Sequence, residues 1–65
     1  MVLKSKLKEY RARYNLNQEE LANKVGVSRQ MISLIEREKI EPSVVIALRI
    51  SKFFEEPLEN IFEIK

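Results

Sequence analysis

The sequence predicts an all-α domain of five short helices, to which the two chain ends can add a small two-stranded sheet. Three observations carry this reading. Apolar residues recur at helical spacing along nearly the whole chain. One glycine and two prolines leave room only for tight connections. Two successive helices begin with the same capping device, on either side of Gly26.

Each element can be justified in turn. The first helix is expected from about Ser5 to Tyr14, with Leu7, Tyr10 and Tyr14 on one inward stripe and Lys6, Lys8 and Arg13 toward water. The second starts at Asn17, a good N-cap. Glu20 lies three positions on, a capping-box spacing, and Leu16 and Leu21 form a hydrophobic staple. Leu21, Ala22 and Val25 make its buried face, and Gly26 ends it. The third helix repeats this entry with Ser28 as cap and Val27 and Ile32 as staple. A turn this short sets the two helices at a steep angle, the helix-turn-helix arrangement, over about residues 17–37.

Pro42-Ser43 opens the fourth helix. Ala47, Ile50 and Phe54 share one face, while Val45, Ile46, Leu48 and Phe53 make it apolar nearly all round. Such a helix is central in a core or partly in a protein interface. Glu55-Glu56-Pro57 breaks it, and Leu58, Ile61 and Phe62 predict a short fifth helix. Phe62-Glu63-Ile64 alternates as a strand does, and so does Val2-Leu3-Lys4; the two can pair.

Composition bounds the chemistry. The 65 residues are read as one domain, 1–65, with no room for a catalytic domain beside a regulatory one. Neither cysteine nor histidine occurs, which removes disulfides, thiolate chemistry, Cys/His zinc sites and histidine acid–base catalysis. No aspartate occurs, and the glutamates form no cluster for a metal. No cofactor is expected, and no small-molecule ligand site is evident. The basic N-terminus is followed by Glu9, Tyr10 and Arg11 rather than an apolar run, so no secretion signal is read there. The longest apolar stretch, Val44 to Leu48, is far too short to span a membrane. A cytoplasmic protein with no membrane contact is the expectation.

The net charge of +2 argues weakly for an anionic partner, but its distribution says more. Lys4, Lys6, Lys8, Arg11 and Arg13 oppose only Glu9 near the start, whereas Glu55, Glu56, Glu59 and Glu63 stand without a base near the end. One face suits an anionic partner and the other avoids it. On charge alone, two solvated helix faces are the favoured reading.

The third helix sharpens the reading. Each residue advances about 100°. With Ile32 and Ile35 inward and Met31 and Glu36 flanking, the free side carries Gln30, Ser33, Leu34 and Arg37, with Arg29 at its edge. Arginine pairs with guanine O6 and N7, and glutamine with adenine N6 and N7. Ser33 suits a base or a phosphate, Leu34 a thymine methyl, and Arg37 a phosphate. Singly, each is an ordinary solvated side chain. Their conjunction after a tight glycine turn points to DNA. The N-terminus of the second helix adds free backbone N–H groups for phosphate, and Gln18 there can hold phosphate or brace Gln30.

The run Leu16-Asn17-Gln18-Glu19-Glu20-Leu21-Ala22, then Val25-Gly26-Val27-Ser28-Arg29-Gln30, Ile32-Ser33 and Ile35-Glu36, resembles the helix-turn-helix domains of the Cro/CI, or XRE-like, regulators. Pro42-Ser43, Ala47 and Leu58-Glu59-Asn60-Ile61-Phe62 fit the same pattern. The resemblance spans nearly the whole chain, is closest to the small stand-alone members, and implies a lambda-repressor-like five-helix fold with the third helix in the major groove. It makes Gln18 and Gln30 the reading pair and Arg29, Ser33 and Leu34 further base-facing residues. It places Asn17, Ser28, Arg37 and Lys39 on the phosphate side. It also implies a buried structural ion pair between Arg11 and Glu36. One position departs from the family: Glu38 stands where a glycine usually ends the recognition helix. Either the turn differs or strain is tolerated, and the role of Lys39 depends on which.

The function expected from these readings is sequence-specific binding of double-stranded DNA by a homodimeric transcriptional regulator, a repressor of a palindromic operator. The alternative is a protein-interaction module such as the antitoxin of a toxin pair. A small nuclease is disfavoured, since Glu19 and Glu20 diverge on a helix and no glycine-rich phosphate loop occurs.

Overall fold

The computed structural model describes residues 3–65. Val2, read above as part of the N-terminal strand, lies outside the described residues. The order is β1 (Leu3–Ser5), α1 (Leu7–Arg13), α2 (Gln18–Val25), α3 (Arg29–Glu36), α4 (Val44–Phe54), α5 (Leu58–Ile61) and β2 (Phe62–Ile64). The two strands pair antiparallel, with Leu3 opposite Ile64 and Ser5 opposite Phe62, closing the N-terminus onto the C-terminus.

The caps form where local chemistry places them. Asn17 accepts from the Glu20 N–H, and the Glu20 carboxylate accepts from the Asn17 N–H, each at 2.8 Å. Ser28 caps α3 and Ser43 caps α4 in the same way, without the reciprocal bond. Each satisfies an otherwise orphaned N–H of a first helical turn.

The first four helices also end alike. A left-handed residue follows each: Asn15, Gly26, Glu38 and Glu55, with φ of 57°, 77°, 60° and 54°. The next residue then donates to the carbonyl five positions back. These bonds are Leu16 to Arg11 at 3.0 Å, Val27 to Ala22 at 3.0 Å, Lys39 to Leu34 at 2.9 Å and Glu56 to Ser51 at 3.1 Å. Three of the four closures use a residue with a Cβ. At Gly26 a Cβ would lie 3.3 Å from Arg49 Nη1.

The core is one cluster. Leu7, Leu21, Ile32, Ile35, Ile50, Phe54 and Ile61 are fully buried, with Tyr10, Ala22, Val25, Ala47 and Phe62 around them. Burying one large apolar side chain contributes about 1.5–3 kcal/mol. α2 packs on both α3 and α4, so the helix-turn-helix pair rests on a shared floor.

Two expectations need correction. α1 begins at Leu7, not Ser5, because Ser5 is the last residue of β1 and its Oγ accepts from the Leu7 N–H at 3.1 Å. Tyr14 is not a core residue: it caps α1 and is 51% exposed. Its ring lies against Phe53 and Phe54, and its hydroxyl donates to the Phe54 carbonyl at 3.3 Å. α4 is apolar nearly all round, as read from the sequence, with Arg49 and Lys52 exposed, but only its Ala47–Ile50–Phe54 face is in the core; Val44, Val45 and Leu48 are bare.

Candidate nucleic-acid interface

The position of α3 is fixed from three sides. Beneath it, Ile32 and Ile35 anchor it in the core. At its last turn, the Glu36 carboxylate accepts from Arg11 Nε at 2.7 Å and Arg11 Nη2 at 3.1 Å, a bidentate pair. The two side chains are 15% and 6% exposed, so the expected ion pair is present and largely buried. Arg11 also donates to the Leu16 carbonyl at 2.9 Å, tying α1 to the entry of α2. Beyond α3, Glu38 adopts the left-handed turn and its carboxylate accepts from the Ser5 N–H at 2.9 Å. The departure from glycine thus keeps the turn and adds a tie to β1.

The free side of α3 follows the sequence reading in most positions. Arg29, Gln30 and Arg37 are exposed, as are Lys39 just beyond the turn and the caps Asn17 and Ser28. Ser33 and Leu34 are half-buried, flanking the core face. Gln18 is half-buried too, and its amide does not reach Gln30. Its Nε2 donates instead to Glu36 Oε1 at 3.1 Å. Glu36 outcompetes a second glutamine because a bond to a carboxylate is charge-assisted.

α2 and α3 meet at a shallow polar depression lined by Arg11, Asn17, Gln18, Glu19 and Arg29. The Glu20 N–H is taken by the capping box and the Leu21 N–H by the Asn17 carbonyl. The N–H groups of Gln18 and Glu19 remain for an outside acceptor, at the positive end of the helix. The Asn17 and Ser28 side-chain oxygens serve as caps, which leaves the Asn17 amide nitrogen and the Ser28 hydroxyl hydrogen free to donate. Arg29, the Asn17 amide and the Gln18 and Glu19 N–H groups make the depression suited to an oxyanion; the Arg11 guanidinium is already held by Glu36 and the Leu16 carbonyl, and Glu19 is the one acidic side chain in its lining.

Sequence reasoning missed the Gln18–Glu36 and Ser5–Glu38 bonds. Both link residues far apart in the chain, and no local spacing rule reports them. Among the described residues, no cluster of acidic side chains is arranged to hold a metal ion, and no helix is long and apolar enough to cross a membrane.

Comparison with known proteins agrees with this geometry. The helix-turn-helix family model matches residues 7–61. An uncharacterised helix-turn-helix transcriptional regulator of Methanocaldococcus jannaschii is 55% identical over 60 residues, covering 92% of this chain and 91% of that protein. A similar regulator of Bacillus subtilis is 43% identical over 60 residues, covering 92% and 91%. Among solved structures, the restriction-modification controller protein C.AhdI from Aeromonas hydrophila superposes with a TM-score of 0.75 at 28% identity, covering 82% of this chain and 80% of that one. The chain belongs to the helix-turn-helix family of DNA-binding transcriptional regulators, of the Cro/CI (XRE-like) type.

Proposed function

We propose that the chain is a homodimeric repressor that inserts α3 into the major groove of a near-palindromic operator. The observation that carries this reading is the bare side of α3, where Arg29, Gln30 and Arg37 stand exposed beside the depression at the N-terminus of α2. Arg29 and Gln30 read base edges, and Ser33 and Leu34 make secondary base contacts. The depression takes a phosphate through the Gln18 and Glu19 N–H groups, with Asn17 and Ser28 beside it. Arg37 and Lys39 hold the backbone on the far side.

The dimer is supported by apolar surface left uncovered. A groove between the sheet and α5 is lined by Leu3, Leu58, Phe62 and Ile64, with Glu59 and Glu63 at its rim. Ile64 is 67% exposed, and Val44, Val45 and Leu48 of α4 are bare as well. A palindromic operator with half-sites one turn apart requires the two α3 helices of such a dimer to stand about 34 Å apart.

The test is selection of bound sequences from a random duplex pool at near-physiological salt, using purified folded protein. A two-fold symmetric motif with half-sites one turn apart is the expected result. Failure to enrich any sequence would favour the protein-interaction reading, in which the same apolar faces bind a different protein.

A further inference from the structure

Three donors converge on the Glu36 carboxylate, and the third differs in kind from the other two. Arg11 supplies the bidentate pair that ties α1 to α3; Gln18 supplies a bond from the first residue of α2, at the edge of the depression beside α3. A carboxylate paired with a guanidinium accepts hydrogen bonds and donates none. The Gln18 amide therefore meets Glu36 with its nitrogen.

A glutamine amide is nearly symmetric in shape but not in function, since one end donates and the other accepts. On a solvated helix the two polarities are about equally populated. Here, reversal would set Gln18 Oε1 against Glu36 Oε1 and forfeit a charge-assisted bond. Such a bond favours the observed polarity about tenfold to hundredfold. Gln18 Oε1 accepts no hydrogen bond from the described residues.

We propose that Glu36 is a positioning residue for DNA recognition, which locks the amide polarity of Gln18 so that a carbonyl oxygen and one N–H are left for the DNA. The inference rests on the DNA-binding reading above. A phosphate only accepts, so the free oxygen has no use on the backbone. It suits an amino group on a base edge, adenine N6 or cytosine N4. Gln18 then carries sequence information at one base pair, and the ion pair that holds α1 to α3 also sets what α2 shows to the groove.

The experiment has two arms. In the folded, DNA-free protein, the side-chain amide protons of Gln18 are compared by NMR with those of Gln30, which is exposed and makes no side-chain bond among the described residues. One Gln18 proton is expected well downfield, exchanging with water at least about tenfold more slowly than either Gln30 proton. In Glu36→Asp, which keeps the charge but draws back the oxygen that accepts from both Arg11 and Gln18, this difference collapses. Gln18 protons that match those of Gln30 in the wild type would overturn the lock. In the second arm, sequences are selected with Gln18→Met and Glu36→Asp. Both are expected to lose preference at the same single base pair. A Glu36→Asp protein that binds every sequence more weakly, with its preferences intact, would overturn the positioning role. If the wild type selects no sequence at all, the DNA reading fails, while the first arm still decides the lock.

Discussion

Replacing Glu36 by alanine removes the acceptor of three hydrogen bonds at once: two from Arg11 and one from Gln18. What remains is the Arg11 guanidinium, on a side chain 15% exposed in the intact pair, with the Leu16 carbonyl as its only hydrogen-bond partner among the described residues. Breaking a buried pair by deleting one partner costs about 3–5 kcal/mol, because the other charge is left desolvated. An exposed pair is worth only about 0–1 kcal/mol. A domain this small has roughly 3–10 kcal/mol of total stability. Glu36→Ala is therefore expected to remove much of it and to lower Tm by tens of degrees, at about 4–8 °C per kcal/mol. The double variant Arg11→Met/Glu36→Leu should recover most of the loss, since an apolar pair of similar volume leaves no charge unpaired. Urea unfolding followed by circular dichroism, at fixed protein concentration because a dimer's stability depends on it, measures both. A loss below about 1 kcal/mol for Glu36→Ala, or a double variant no better than the single, would refute the claim that this pair is buried and structural.

Further outcomes follow from the turns, the caps and the backbone contacts. Glu38→Ala should cost about 0.5–1.5 kcal/mol, because the left-handed φ is kept and the Ser5 N–H loses its acceptor. Glu38→Gly should cost less, since it relieves about 1 kcal/mol of strain while losing the same bond. Chemical unfolding that ranks these two in the opposite order would contradict the account of that turn. Gly26→Ala should destabilise by about 1 kcal/mol through its φ of 77°, the nearby Arg49 guanidinium being able to move aside. Ser28→Ala should cost about 1 kcal/mol by uncapping α3, read from the urea midpoint. Lys39→Ala should weaken binding to all DNA sequences alike and reduce the slope of log K against log salt by about 1.

The local part of this fold was legible in the sequence, and the tertiary part was legible only where a resemblance supplied it. The Asn17–Glu20 box, the Ser28 and Ser43 caps and the left-handed Gly26 all involve residues within a few positions of one another. Helix geometry alone brings such groups together. The Arg11–Glu36 pair came from the family pattern, because no spacing rule joins residues that far apart. Tyr14 shows where periodicity misleads. It continues the stripe of Leu7 and Tyr10, but α1 stops at Arg13, and its ring slides to the edge over Phe53 and Phe54. Gln18 shows a second limit. Its place at the start of α2 was evident, but its bond to Glu36 needs the angle between α2 and α3, which the sequence does not state. Glu38 was visible as an anomaly, and its resolution lay in β1, which reaches α3 only once the chain ends have paired.

Whether the bare side of α3 reads bases is decided by titrating wild type and Gln30→Ala against the selected operator and a scrambled duplex, by fluorescence anisotropy at one fixed salt concentration. Base reading by Gln30 gives a loss of about 1–3 kcal/mol on the operator and little change on the scrambled DNA. An equal loss on both duplexes would contradict it, for Gln30 would then be gripping the backbone rather than reading the sequence.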